Sequence, residues 1–353
     1  MRIALVTDLH FGARNDNQKV AEHQGLFWKN VFFPFIQEQN IDTVVDLGDT
    51  FDRRKFISYT SLKSAKEMFF EPLRQNNITL HCIVGNHDIT YKNTLDVNSI
   101  DLLLDGYDNI KEYREPAEVD IDGLKILMLP WICKDNSDMS WRMVKDTTAQ
   151  VLFGHLELNG FQMYKGMPSY EGVDPQYFKK FDIVYSGHYH HRSTVGNITY
   201  LGTPYEMTWS CYDDPKGFHI FDTDTRELEF VENPNKLFFK LWYDDDKVTF
   251  EHINHMDFSN MKDKYVKVII KNKNNPALFD TFITSIENQT PINVQVVEDH
   301  LNLDLDVDDE IINEAEDTLT IVSNYVDSLE IKSDKNELNS LMRTLYNEAL
   351  AIE

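Results

Sequence analysis

Five short apolar segments of this 353-residue chain each end in aspartate, histidine or asparagine. Carboxylates, imidazoles and an amide oxygen, with no thiolate among them, are the side chains that bind hard to borderline divalent metals. The residue types therefore predict a divalent-metal site if the fold brings the ends of the segments together. The five clusters are Asp8-Leu9-His10, Gly48-Asp49, Gly85-Asn86-His87-Asp88, Gly154-His155 and Gly187-His188-Tyr189-His190.

Each cluster taken alone also has an ordinary structural explanation. A single histidine after a strand is more often a hydrogen-bonding residue than a metal ligand. Asp8 could cap a helix, and Asn86 could form a turn. Because short motifs produce many false positives, the metal-site hypothesis depends on all five clusters occurring together at the ends of strands.

The apolar segments alternate with amphipathic stretches. This alternation predicts an α/β architecture, in which loops at the carboxyl ends of the strands open into one crevice. A glycine before four of the clusters allows the tight turn that would direct the next side chain into this crevice. We expect Pro34 to kink or break the first helix. The strands are predicted at 2–7, 41–47, 79–84, 149–153 and 181–185, and the helices at 20–39, 58–76 and 97–105.

The rest of the pattern predicts three regions, with boundaries at 1–232, 233–300 and 301–353. Residues 298–317 include ten Asp or Glu residues out of twenty, which favours a solvated linker. An amphipathic terminal helix is expected after it at 335–352. Further strands are predicted at 118–121, 124–129, 197–201, 217–222 and 226–231 in the first region, and at 237–243, 265–271 and 292–297, with a helix near 277–288, in a small α+β second region.

Composition limits the classes of function. The 34 Lys and Arg against 59 Asp and Glu give a net charge of -25, which argues against a broad basic surface for nucleic acid. It leaves room for phosphate contacts through bound metal ions and a local basic strip. No apolar run approaches 18 residues, no signal peptide is visible, and the three cysteines form no paired framework. These features predict a cytoplasmic protein with reduced thiols and no membrane segment.

The order and spacing of the clusters resemble the calcineurin-like metallophosphoesterase superfamily. The flanking residues Ile83-Val84-Gly85-Asn86-His87-Asp88 and Gly154-His155-Leu156-Glu157-Leu158-Asn159-Gly160-Phe161 resemble its SbcD-like DNA-repair nuclease branch, and within it the recombination nucleases of T-even bacteriophages. The match covers residues 1–222. It implies a calcineurin-like four-layer α/β/β/α sandwich of two mixed sheets, with a small α+β capping domain for DNA and a C-terminal helical segment. A phage-encoded member would act in the cytoplasm of its bacterial host.

The resemblance also implies a site with two divalent ions, of which Mn²⁺ is expected and Mg²⁺ is the alternative. Two such ions can clamp a phosphodiester and acidify the attacking water. His87 would lie beside the scissile phosphate, and Asp88 would orient the His87 ring. The implied ligands are Asp8, His10 and His190 for one ion, Asn86, His155 and His188 for the other, and Asp49 as the bridge.

One position departs from this nuclease branch. Cellular members have a histidine three residues after the bridging aspartate, where this chain has Asp52. Gly48-Asp49-Thr50-Phe51-Asp52-Arg53 instead resembles the protein-phosphatase branch, although that branch has neither the GNHD nor the GHxH pattern. The main hypothesis is a two-metal DNA nuclease, with 3′–5′ exonuclease activity on duplexes and endonuclease activity on single strands. A metallophosphatase or cyclic-nucleotide phosphodiesterase is the alternative, and a non-catalytic scaffold is a third hypothesis.

The implied partners are DNA, a second copy of the chain and an SbcC-like coiled-coil ATPase, acting together in recombination, repair and replication. Arg53, Arg54 and Lys55 could contact DNA, as could the lysines between 262 and 273, for which a solvated face is the alternative. The apolar stripes at 26–36 and 62–73 could form a dimer interface, with core packing as the commoner explanation. The terminal helix is the expected ATPase-binding element, because a short amphipathic helix after an acidic linker has little core to join.

Deletion of residues 318–353 tests this last assignment. We expect the truncated protein to keep metal-dependent nuclease activity and to lose binding to its ATPase partner, measured by co-purification. Binding that survives the deletion would show that the partner contacts another part of the chain.

Overall fold

Two six-stranded mixed sheets make up most of residues 1–298, the part of the chain that this computed structural model describes. The first sheet has the order β14 (Leu228–Glu232), β13 (Gly217–Asp222), β1 (Arg2–Val6), β2 (Thr43–Asp46), β3 (Thr79–Ile83) and β4 (Ile110–Tyr113). The second has the order β11 (Ser193–Val195), β12 (Ile198–Tyr200), β10 (Ile183–Gly187), β7 (Val151–His155), β6 (Leu124–Leu129) and β5 (Ala117–Ile121). Strands β1 to β4 are parallel to one another, as are β6, β7, β10 and β12, and the remaining pairs are antiparallel.

The two sheets pack face to face across a buried apolar layer. Alternate residues of a strand point to opposite faces, so Ile3 and Leu5 of β1 join this layer, whereas Ala4 and Val6 pack under helices. From the second sheet, Val151 and Phe153 contribute to the same layer. The core between the sheets thus fixes the distance between the strand ends that carry the clusters.

Helices cover the outer face of each sheet. The first sheet is covered by Gln18–Phe27, Phe33–Glu38, Tyr59–Ala65, Glu71–Gln75 and Ser99–Leu104, and the second by Ser137–Asp146. The result is the four-layer α/β/β/α sandwich that the resemblance implied, which is confirmed. The stripes at 26–36 and 62–73 lie in the core under the first sheet, where Trp28 and Phe69 have ring centroids 4.6 Å apart. Core packing therefore accounts for both stripes.

Of the two effects expected of Pro34, a kink or a break of the first helix, the break does not occur. A π-helical turn, Trp28–Phe32, precedes the proline, and the helix continues as Phe33–Glu38. The N–H of Phe33 bonds to the carbonyl of Trp28, five residues back. This wider turn accommodates a proline, which lacks an N–H and crowds the preceding turn. The second helix repeats the arrangement, with the π-turn Lys66–Phe70 ahead of Pro72.

Several elements escaped the sequence analysis because few of their residues are buried. Strand β4 has two charged residues between Ile110 and Tyr113 at a sheet edge, and the helix Ser137–Asp146 buries only Ser140 and Val144. A two-stranded hairpin, β8 (Gln162–Tyr164) and β9 (Met167–Pro168), lies in the long connection after β7. These elements lie at edges or in a connection, where few residues are buried.

A third sheet follows, and its three strands are all parallel. The strands are β15 (Phe238–Asp244), β16 (Tyr265–Asn272) and β17 (Asn293–Glu298), with the helices Phe250–His255 and Pro276–Glu287 in the connections. Val266, Val268 and Ile270 of β16 pack against Phe282 in a separate small core. The three predicted strands and the helix predicted near 277–288 are present, and their parallel order with helices in both connections is α/β. The boundary at 232/233 stays a prediction.

The predicted linker at 298–317, apart from its first residue, and the predicted helix at 335–352 lie outside the described residues. Within residues 1–298, no helix is long and apolar enough to cross a membrane.

Glu206 connects the third sheet to the sandwich. Its buried carboxylate accepts hydrogen bonds from the backbone N–H groups of Leu237 (2.6 Å) and Phe238 (3.0 Å), at the start of β15. We expect Glu206→Ala to lower the free energy of unfolding by about 2–5 kcal/mol, because two buried N–H groups lose their acceptor. Urea denaturation measures this, with exposed Glu287→Ala as the control. Wild-type stability in Glu206→Ala would contradict the assignment.

Candidate dimetal centre

The five clusters meet at one edge of the sandwich. Strands β1, β2 and β3 end there in the first sheet, and β7 and β10 end there in the second. His155 is the last residue of β7, whereas the other clusters lie in the loops that directly follow their strands. The side chains that converge there are Asp8, His10, Asp49, Asn86, His155, His188 and His190.

Asp8, His10 and His190 form the first ligand cluster. Their nearest ligand atoms all lie within 4.8 Å of one another. The two Nε2 atoms of His10 and His190 are 3.1 Å apart, and each lies 4.0 Å from Asp8 Oδ1. Burial, and then the neighbouring His10, hold the pKa of His190 well below its usual range. The neutral ring therefore presents a lone pair, as a metal ligand must.

Asp49, Asn86, His155 and His188 form the second ligand cluster. His155 Nδ1 donates to the backbone carbonyl of Leu47 at 2.8 Å, so its Nε2 faces the site. That Nε2 lies 3.0 Å from Asn86 Oδ1 and 3.2 Å from Asp49 Oδ2. His188 Nδ1 is 2.8 Å from the same Asn86 oxygen. Imidazole nitrogens and side-chain oxygens thus converge on one small volume, which fits a divalent cation with nitrogen and oxygen ligands.

The charge balance of the second cluster supports this fit. Burial alone would raise the pKa of Asp49, but His155, His87 and His10 hold it well below its usual range. Burial lowers the pKa of His155, but the adjacent Asp49 outweighs this and raises it to about 9. Without a bound cation, the site therefore holds a proton on His155 to balance the buried carboxylate. A divalent ion would displace that proton.

Asp49 lies between the two clusters. Its Oδ2 is 3.2 Å from His155 Nε2 in the second cluster and 4.0 Å from His10 Nε2 in the first. One carboxylate thus reaches both, which is the location that a bridging ligand requires.

Four of these residues have a backbone conformation that non-glycine residues rarely adopt. The φ angles of Asp8, His10, Asp49 and His188 are 53°, 43°, 55° and 86°. Each such residue costs of order 1–3 kcal/mol and persists only where its surroundings fix it. Strain at four candidate ligands is typical of a functional site.

Two glycines serve the site in different ways. Gly48 has a φ of 104°, as the predicted tight turn requires. Gly85, Gly154 and Gly187 have no positive φ, and the last two lie within β7 and β10, so the expected tight turn is found only at Gly48. Space is the reason for glycine at position 85, because a Cβ there would overlap Oδ1 and N of Asp49.

The expected role of Asp88 is also wrong. Its buried carboxylate does not contact the His87 ring. It accepts N–H groups of Gly85 and Asp49, both at 2.9 Å, and those of Thr50 and Phe51, at 3.4 and 3.3 Å. Asp88 therefore holds the loop that contains Asp49 in place.

His87 is oriented by Asp52 instead. His87 Nδ1 donates to the backbone carbonyl of Asp52 at 2.5 Å, and the His87 ring centroid lies 4.9 Å from that of His10. The Asp52 carboxylate lies 3.2 Å from His10 Nδ1. Asp52 thus contacts one candidate ligand and the residue expected beside the phosphate.

Comparison with known proteins agrees with this geometry. Residues 1–192 match the calcineurin-like phosphoesterase family. The chain belongs to that family. It is 32% identical to exonuclease subunit 1 of Enterobacteria phage T4 over 354 residues, with 99% of each chain covered. It is 23% identical to a subunit of the SbcCD nuclease of Staphylococcus epidermidis, covering 65% of this chain and 67% of the relative.

Two solved structures also align with this phosphoesterase. An archaeal phosphodiesterase has a TM-score of 0.33 at 15% identity, covering 66% of this chain and all of its own. A dimetal phosphatase from Danio rerio has a TM-score of 0.37 at 13% identity, and the alignment covers 62% of this chain and 91% of the phosphatase. Family membership makes the chain a metal-dependent phosphodiester hydrolase, and the two ligand clusters are the candidate binding residues for its metals.

The three basic residues of the phosphoesterase after Asp52 have different surroundings. Arg53 contacts Asn15 (2.5 Å) and Asp16 (3.6 Å) and lies over the Phe56 ring. Arg54 is half-buried, and this burial lowers its pKa, while the Asp49 charge raises it. Lys55 is exposed. The three thus differ in partners and in exposure.

The sequence analysis gave no role to several residues that support the ligands. Thr7 Oγ1 donates to Asp8 at 2.8 Å. Glu157 lies 3.9 Å from His188 Nε2, and Trp131 packs on the His188 ring with centroids 5.0 Å apart. Glu157 follows His155 by two residues in the sequence, and this spacing could have predicted its place beside the candidate ligands. For Trp131, no local pattern pointed to the site.

Replacing Gly85 by alanine tests the close approach to Asp49. We expect Mn²⁺ affinity to fall at least about tenfold, because the added methyl displaces Asp49 and the loop that holds it. Isothermal titration calorimetry measures the affinity. Gly106→Ala is the matched control, because nothing lies within 4 Å of its added Cβ. Equal affinities in the two variants would contradict the inference.

Proposed function

We propose that this phosphoesterase is a two-metal DNA nuclease, with Asp8, His10 and His190 as ligands of one ion. Asn86, His155 and His188 bind the other, and Asp49 bridges them. The observation that carries the proposal is the convergence of these buried donor atoms on two adjacent volumes that share Asp49. The printed names of the two relatives, an exonuclease subunit and a nuclease subunit, indicate nucleic acid as the substrate class.

Two ions bound there would supply Lewis acidity, charge neutralisation and an acidified water. His87 supplies the proton chemistry. Its Nδ1–H donates a hydrogen bond to the Asp52 carbonyl, so Nε2 is the nitrogen that faces the substrate. In the imidazolium form, Nε2–H donates to a phosphate oxygen or to the leaving oxygen. The half-buried position of His87 beside His10 leaves it open to a bound phosphodiester.

The finer assignments rest on the resemblance. We propose Mn²⁺, with Mg²⁺ as the alternative, and 3′–5′ exonuclease with single-strand endonuclease activity in recombination, repair and replication. Both relatives are named as subunits, which supports a partner. We propose an SbcC-like ATPase that binds residues 301–353. We also propose a homodimer, whose interface lies outside the buried stripes. DNA contacts are proposed for two parts of the chain: the basic residues Arg53, Arg54 and Lys55, and the small α+β region at 233–300.

A metallophosphatase or cyclic-nucleotide phosphodiesterase is the second candidate. It is favoured by Asp52, which stands where the nuclease branch has an imidazole. Because this residue is an aspartate whose carboxylate faces His10, the site has no second histidine at this position to contact the phosphate. Such a site would accept small monoesters or cyclic diesters.

Substrate assays separate the two candidates. With Mn²⁺, we expect the purified protein to release nucleotides from linear duplex DNA and to leave a phosphoserine peptide and cyclic AMP intact. The reverse pattern would replace the nuclease by the second candidate.

His87→Ala tests the catalytic role of that residue in the same assay. We expect kcat to fall about 100- to 10,000-fold, because the proton donor is lost. Metal content, measured by elemental analysis, should not change, and exposed His252→Ala should behave as wild type. A loss of metal in His87→Ala would instead place His87 among the ligands.

A further inference from the structure

A cavity of about 320 Å³ adjoins the second ligand cluster. His155 forms part of its wall, next to Glu157, and Trp131, which packs on His188, forms another part. The volume lies within the range of small-molecule sites, about 300–1,000 Å³. The cavity therefore lies beside the second ligand cluster, with His155 common to the cavity lining and the cluster.

The lining is mainly aromatic and aliphatic. Trp131 and Trp141 are half-buried, and the Trp141 ring lies 5.4 Å from Tyr177 and 6.1 Å from Phe178. Leu158 and Phe178 are fully buried and form its apolar base. Apart from His155, the titratable side chains of the lining are Lys134, which is exposed, Glu157 and the buried Cys133. The interior thus favours a flat apolar ring over a charged group.

The loop that carries Trp131 is held in place by backbone hydrogen bonds. Trp131 N–H donates to the Val84 carbonyl at 2.9 Å, which joins the loop to the end of β3. The side chain of Asn136 donates to the Trp131 carbonyl (2.9 Å) and accepts from Cys133 N–H (2.8 Å). The cavity is therefore formed before any ligand binds.

We propose that this cavity binds the base of a nucleotide next to the scissile phosphate. The proposal rests on the nuclease function proposed above. A nucleotide whose phosphate lies at the ligand clusters would place its base on the His155 side, in the cavity that Trp131 and Trp141 line. Stacking on aromatic side chains accepts every base, because each base has a π-face. A phosphoserine side chain has no ring to occupy this cavity.

The test uses single-stranded oligonucleotides and Mn²⁺. The cleaved bond is first mapped in a uniform oligonucleotide, and one abasic nucleotide is then placed on its 5′ or its 3′ side. For wild-type protein, we expect one of the two abasic substrates to be cleaved about 5- to 150-fold more slowly, which is the value of one base–aromatic stack. In Trp141→Ala, this ratio should fall towards one.

Met139→Ala is the control, because Met139 is exposed on the same helix and does not line the cavity. It should keep the wild-type ratio. Two outcomes would overturn the base site and leave the nuclease proposal intact. One is equal cleavage of the normal and both abasic substrates by wild-type protein, and the other is an unchanged ratio in Trp141→Ala. Hydrolysis of bis(p-nitrophenyl) phosphate without cleavage of any DNA would overturn the nuclease proposal and the base site with it.

Discussion

The structure depends on keeping the Asp49 carboxylate buried and ionised at the junction of the two sheets. A buried charge is costly unless it is paired and hydrogen-bonded. The imidazoles of His155, His87 and His10 offset this cost and hold the pKa of Asp49 well below its usual range, even though burial alone would raise it. The positive φ of Asp49 and the missing Cβ of Gly85 are the conditions under which this carboxylate reaches both ligand clusters.

Asp88 provides the mechanical support for that arrangement. Its carboxylate accepts N–H groups from the loops after β2 and β3, so the ends of two neighbouring strands are fixed to each other. Asp88 and Asp49 are both fully buried, and the pKa of Asp88 is raised by burial and then by the charge of Asp49. The fold thus places two carboxylates close together and gives them different tasks. The Asp49 carboxylate lies between the two ligand clusters, whereas the Asp88 carboxylate accepts hydrogen bonds from the backbone of the loop that contains Asp49.

The sequence was sufficient to predict the five clusters, because each consists of local features: an apolar strand followed by residues of the types that bind metals. It was insufficient where the partner of a residue is distant in the chain or is a backbone group. Asp88 bonds to N–H groups 37 to 39 residues away, and His155 donates to the Leu47 carbonyl. At Pro34 the sequence left a kink or a break open for a related reason, since the π-turn that accommodates the proline has no signature in residue types. Trp131 meets His188 because β6 and β10, the strands that precede them, flank β7 in the second sheet.

Asp52 shows how one substitution changes two neighbours. An imidazole at this position could face the phosphate, but a carboxylate has no proton to donate at neutral pH. Here the carboxylate lies 3.2 Å from His10 Nδ1, on the side of the ring away from the Nε2 atom that faces His190. The Asp52 carbonyl meanwhile fixes the His87 ring. Asp52 thus contacts the candidate ligand His10 through its side chain and orients His87 through its backbone.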